Sequence, residues 1–122
     1  MNSRVVMLVE DDPDLLDGIC EILRQGGLNV LGVRNFETAR SYLERWRPAA
    51  LVTDVRLGAY NGLHLVILAK QRSPDLEVFV YSGHPDPHLR AEAESYGAIF
   101  TSKDQVVTVL VPALLMRLGQ VH

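Results

Sequence analysis

Cysteine is nearly absent from this chain. Cys20 stands alone, so no intrachain disulfide is available, and that fits a reducing compartment. Positive charge is not in excess either. Twelve Lys and Arg against 15 Asp and Glu leave a net charge of -3, without the basic footprint that direct nucleic-acid binding needs. No apolar run reaches the roughly 18 residues that span a bilayer. The first such run is short and ends in carboxylates, which is not the pattern of a secretory signal peptide. Repeats, low-complexity tracts and linkers are also missing. These absences lead to the expectation of one soluble cytoplasmic domain over residues 1–122, with its core at 4–118. At 48% hydrophobic and 22% charged, the chain has enough apolar material for a real core.

Short β-type runs alternate with amphipathic helical runs along the chain. Arg4–Val9 (RVVMLV), Leu28–Val33, Ala49–Asp54, Leu76–Ser82 and 98–102 (AIFTS) read as strands, mostly continuous and rich in β-branched residues. Asp12 caps a first helix with Pro13 at its first position, and Gly26-Gly27 ends it. Leu15, Leu16, Ile19, Ile22 and Leu23 form its inner face. Asn35 caps a second helix with Phe36, Ala39 and Leu43 inward and Trp46 at the margin, and Pro48 follows its end. A third helix covers Gly62–Arg72, with Leu63, Val66, Ile67 and Ala69 or Lys70 turned inward; a fourth covers Pro87–Tyr96 and closes at Gly97; a fifth covers Asp104–Leu118. LGAYNG (57–62) and GHPDPH (83–88) read as loops. Five βα units of this kind predict an α/β fold, a doubly wound flavodoxin-like domain around a parallel five-stranded sheet. In such folds ligands gather at the carboxyl ends of the strands.

The polar residues concentrate there. The first strand ends in Glu10 and Asp11, the third in Asp54, the fourth in Ser82, the fifth near Ser102 and Lys103. Glu10 and Asp11 taken alone allow two readings: a solvated start of a helix, or carboxylates compensated by a cation in the fold. Their convergence with Asp54 and Lys103 favours the second. Oxygen-only ligation suits Mg²⁺, and the chain offers neither a thiolate cluster nor clustered imidazoles for a softer metal. His64, His88 and His122 show no ligand spacing.

At these residues the chain resembles the receiver domain of bacterial two-component response regulators. The matching pieces are LVEDD (8–12), VTDVRL (52–57) with GL (62–63), VYSG (80–83) and FTSK (100–103), in the right order at the right strand ends. The resemblance implies the strand order 2-1-3-4-5 and a Mg²⁺-dependent phosphoacceptor signalling domain, not a turnover enzyme. It implies Asp54 as phosphoacceptor; Asp11 as a direct Mg²⁺ ligand and Glu10 as one acting through water; and the Arg56 backbone carbonyl as a further ligand. Lys103 becomes the phosphate-neutralising lysine, Ser82 the switch hydroxyl with small Gly83 behind it, and Phe100 the aromatic switch position. The implied partners are a sensor histidine kinase or a histidine phosphotransfer protein, and a second chain or an output partner meeting helices 4 and 5. A degenerate receiver, binding partners without phosphate, is the alternative; it would be expected to have lost Asp54, Asp11 or Lys103, and all three are present. An aspartyl-phosphate hydrolase would carry an acid two residues after the nucleophile, where this chain has Arg56.

The chain departs from the family pattern in three places. Asp104 follows Lys103 where many members have a cis proline. A cis bond without proline costs roughly 2.5–4 kcal/mol, so a trans bond is predicted. Gly58 stands where proline is frequent, and Pro112 should bend helix 5. Val107, Leu110, Leu114 and Leu118 are expected to face the core, and Val106, Val109, Ala113 and Met116 to form a second apolar stripe, which either meets a partner or second copy together with helix 4 or is simply buried by helix 4. The resemblance also implies that Arg56 and His84 flank the approach to a phosphoryl group on Asp54. Shielding from water is the favoured reading; a neutral His84 oriented by Asp86 and activating water is the competing one.

Overall fold

A computed structural model describes residues 4–119. Five parallel strands form the central sheet: β1 (Val5–Val9), β2 (Asn29–Val33), β3 (Ala50–Asp54), β6 (Glu77–Ser82) and β7 (Ile99–Ser102). A separate antiparallel ribbon, β4 (Arg56–Leu57) with β5 (Tyr60–Asn61), occupies what reads as a plain loop in the sequence. The order β2-β1-β3-β6-β7 is 2-1-3-4-5 once the ribbon is left out of the count. Five helices connect the strands: α1 (Pro13–Gln25), α2 (Phe36–Arg45), α3 (Leu63–Arg72), α4 (Pro87–Ser95) and α5 (Val111–Leu118).

The unbroken apolar strands are explained by burial on both faces. Met7, Val9, Leu51, Val78, Val80 and Phe100 pack with α2, α3 and α4. Their neighbours in sequence, Val6, Leu8, Ala50, Val52, Phe79 and Tyr81, pack with α1 and α5. This alternation matters at the strand ends. It sends Glu10, Asp54 and Tyr81 toward the α1/α5 side, and Ser82 and Phe100 toward the α3/α4 side.

Local signals hold where the chemistry is local. Asp12 caps α1 by accepting from Asp14 N–H, and Pro13 takes the first helical position. Asn35 caps α2 through Thr38 N–H, and Gly97, at φ 86°, turns the chain out of α4. Cys20 is buried as a small apolar side chain. Trp46 is half-buried against the α2/α3/α4 core. In α3 the buried face includes Leu65, while Ile67 is only half-buried. His122 lies outside the described residues.

Helix 5 differs most from expectation. It starts as a 3₁₀ turn (Lys103–Gln105), widens into a π turn (Val106–Leu110), and becomes α-helical only from Val111. The cause is Pro112. It has no N–H, and in a straight helix its ring would strike the carbonyl four residues back. Widening the preceding turn, with Val111 N–H bonded to Val106 O, places Pro112 in the first turn of a new helix, where the N–H is not needed. The changed angular step re-phases the side chains. Val106 is buried and Val107, expected inside, is 53% exposed.

Candidate functional site

The carboxyl edge of the sheet brings together side chains that are far apart in sequence. One carboxylate oxygen from each of Glu10, Asp11 and Asp54 lies within 4.8 Å of the others. Glu10 is fully buried and Asp54 is 3% exposed, whereas Asp11 is exposed. Lys103 Nζ reaches in from the turn after β7, 2.9 Å from Asp54 Oδ2 and 3.7 Å from Glu10 Oε1. It does so with a trans Lys103–Asp104 bond, since no cis peptide occurs among the described residues. In place of proline, the turn is held by a hydrogen bond from Ser102 Oγ to Asp104 Oδ1 and by Gln105, whose Oε1 accepts from Ser102 N–H (3.3 Å).

Each carboxylate is aimed by backbone or hydroxyl donors. Asp12 N–H donates to Glu10 Oε2 (2.9 Å), Gly58 N–H to Asp11 Oδ2 (3.1 Å) and Arg56 N–H to Asp54 Oδ1 (3.2 Å). The ribbon therefore supplies two donors to the site, a role invisible while 57–62 reads as a loop. Tyr81, which sequence reasoning passed over, donates its hydroxyl to Glu10 Oε1 at 2.7 Å. A signal existed: a tyrosine inside a doubly buried strand must find a hydrogen-bond partner, and strand alternation points it to the side of Glu10.

The electrostatics follow from this arrangement. Burial pushes the Glu10 carboxyl up from 4.5, partly opposed by the Asp12 N–H, the Tyr81 hydroxyl and the Lys103 charge, while the Asp54 charge adds to the rise. Burial by itself would lower Lys103, but the hydrogen bond to Asp54 and the charges of Asp54, Glu10 and Asp11 outweigh it and hold the ammonium above its ordinary value. Burial, and then Glu10, raise the Tyr81 phenol far above 10, so it stays a donor. Three clustered carboxylates against one ammonium leave an excess of negative charge on hard oxygen donors. That donor set fits a small divalent cation.

Ser82 is buried and its Oγ accepts from His84 N–H at 3.1 Å. Phe100 is buried on the same side of the sheet, with the Arg90 guanidinium 4.9 Å from its ring centre. Arg56, Gly83 and His84 are exposed. Gly62 lies against the end of β3, its N–H donating to Val55 O at 2.6 Å.

The sequence profile of the response regulator receiver domain matches residues 6–111, and the chain belongs to that family. It is thus a receiver domain of two-component signalling, with Glu10, Asp11 and Asp54 in its acidic pocket, and receiver domains are signalling domains rather than classical enzymes. Among curated relatives it is 30% identical over 118 residues to the sensory transduction protein BceR of Halalkalibacterium halodurans, covering 96% of this chain and 51% of that protein. It is 29% identical over 122 residues to the transcriptional regulatory protein FixJ of Azorhizobium caulinodans, covering 97% and 56%. The chain therefore spans about half the length of these relatives, and 22% of a phosphoglycerate transport regulator, PgtA, of Salmonella typhimurium. Its fold matches a CheY-like receiver domain protein from Methanospirillum hungatei at a TM-score of 0.86 with 19% identity, covering 94% of this chain and 93% of that one. The non-phosphorylated HemR receiver domain of Leptospira biflexa gives 0.86 with 21% identity and 98% of both chains.

Proposed function

We propose that this chain accepts a phosphoryl group on Asp54 from the phosphohistidine of a cytoplasmic sensor histidine kinase or phosphotransfer protein, with Mg²⁺ as cofactor. The observation that carries this is the placement of Asp54: a buried carboxylate with Lys103 Nζ at 2.9 Å and carboxylate oxygens of Glu10 and Asp11 within 4.8 Å. An Asp54 oxygen attacks phosphorus; the new P–O bond forms as the bond to the donor breaks, and the donor leaves with its electron pair. Glu10, Asp11, Asp54 and the Arg56 carbonyl would hold Mg²⁺, which supplies charge neutralisation between two anions. Lys103 neutralises a phosphoryl oxygen, and positioning does the rest. The chain carries out one transfer on itself and does not turn over. The test is intact-mass measurement after incubation with Mg²⁺ and a small acyl phosphate. One phosphoryl mass is expected, lost in Asp54→Asn and under chelation; a gain that survives either change refutes the proposal.

The added charge at the end of β3 is sensed, in this reading, by Ser82 moving onto the phosphoryl group and Phe100 following, which alters the face made by α4, β7 and helix 5. On helix 5, Val107, Val109 and Met116 lie exposed, Met116 at 83%. The face is expected to meet an output partner or a second copy. Sedimentation of the phosphorylated chain should show dimers if the partner is itself; a monomer at all concentrations excludes self-association.

Arg56 and His84 are expected to crowd the in-line approach of water to the phosphoaspartate. Decay after donor removal should quicken in Arg56→Ala, in His84→Ala and most in the double variant. Slower decay in His84→Ala would instead mark the imidazole as a base that helps hydrolysis.

A further inference from the structure

We propose that Tyr81 is a positioning residue for the acidic site: its hydroxyl fixes Glu10 in the orientation from which it serves the cation, and so leaves Lys103 to Asp54. The proposal rests on the reading of the site as a Mg²⁺-dependent centre.

Glu10 is fully buried, so both of its oxygens depend on partners inside the protein. Oε2 accepts from Asp12 N–H at 2.9 Å and Oε1 from Tyr81 at 2.7 Å. The other group near Oε1 is Lys103 Nζ, at 3.7 Å, beyond hydrogen-bond distance. Remove the phenol hydroxyl and Oε1 keeps only that ammonium. The carboxylate would then swing toward Lys103 and compete with Asp54, which now holds Nζ at 2.9 Å.

Tyr81 is built for rigidity. It comes from β6, not from the strand beside Glu10. Its partner across the ladder is Asp54 in β3, and its side chain reaches past that strand to Glu10 in the turn after β1. Its ring is fully buried in the α1/α5 core, which also holds Leu8, Val52 and Phe79, and Lys103 Nζ stands 5.9 Å from the ring centre. Phenylalanine would fill that space without needing any partner. The hydroxyl is therefore what ties the core to the site, as outer partners orient metal-binding carboxylates elsewhere.

The experiment measures Mg²⁺ binding to the whole chain by titration calorimetry, without phosphodonor, for wild type, Tyr81→Phe, Glu10→Gln and the double variant, with thermal melts confirming that each is folded. Tyr81→Phe should weaken Mg²⁺ binding about tenfold, the lower end of the range for loss of an outer partner. In the Glu10→Gln background the same change should have an effect under about twofold, because the hydroxyl acts through the carboxylate. Wild-type affinity in Tyr81→Phe overturns the proposal, as does a tenfold loss that persists in the Glu10→Gln background, which would mark general damage to the core. Failure of wild type itself to bind Mg²⁺ overturns the reading of the site and this proposal with it.

Discussion

Gly62→Ala is expected to cost about 3 kcal/mol of stability, the upper end of the usual overpacking penalty, and to lower the melting temperature by about 12 °C for a chain of this size. A Cβ on Gly62 would collide with the backbone carbonyl oxygen of Asp54 and stand 2.9 Å from Thr53 Oγ1. Gly62 has ordinary helical angles, φ -60° and ψ -20°, so the reason for glycine here is space rather than conformation. The obstacle is backbone, which no rotamer change relieves. Either the start of α3 withdraws or the end of β3 shifts, and the second outcome displaces the Asp54 carboxylate, the proposed phosphoacceptor. Phosphorylation should fall about 100-fold in the folded fraction, since misplacement by an ångström is enough for such a loss. Gly58→Ala is the control. Its φ of 61° makes alanine strained, yet nothing lies within 4 Å of the added Cβ, so about 1 kcal/mol is expected. Equal melting temperatures for the two variants would contradict the steric account.

Lys103→Met should slow phosphorylation by a small acyl phosphate about 100- to 1,000-fold, the usual effect of removing one preorganised group that stabilises developing charge. The side chain of Lys103 is 34% exposed, so the stability loss should fall short of that for a fully buried pair, at about 1–3 kcal/mol. That loss should depend on pH. The folded-state pKa of Glu10 is raised by burial even with Lys103 present. A raised carboxyl pKa means that the folded state holds its proton more tightly than the unfolded chain does. Stability therefore rises as pH falls from above the raised value toward the ordinary 4.5. Without the ammonium the rise should be larger, and the melting-temperature deficit of Lys103→Met should shrink between neutral and mildly acidic pH. A deficit that grows on acidification would show that the lysine is not compensating Glu10. Arg in place of Lys103 should restore stability better than activity, because the planar guanidinium cannot occupy the same point between Asp54 and Glu10.

Much of this protein is decided within a few residues of sequence. The strands at Val5–Val9 and Ala50–Asp54 follow from continuous apolar runs, and the caps at Asp12 and Asn35 and the stop at Gly97 from local hydrogen bonding and backbone freedom. The convergence of Glu10, Asp11, Asp54 and Lys103 follows from the rule that parallel strands end on one edge, and so needs no coordinates. Tertiary structure decided what depends on contacts between distant segments. Tyr81 finds Glu10 only because β3 places their strands two apart with alternating faces. Gly62 is constrained by the carbonyl of Asp54, which helical periodicity does not reveal. The ribbon of Arg56–Leu57 and Tyr60–Asn61 is too short to leave a periodic pattern. In helix 5 the proline was legible, but not the wide turn that absorbs it, and so a projection at 100° per residue turned Val107 inward where the packed chain buries Val106.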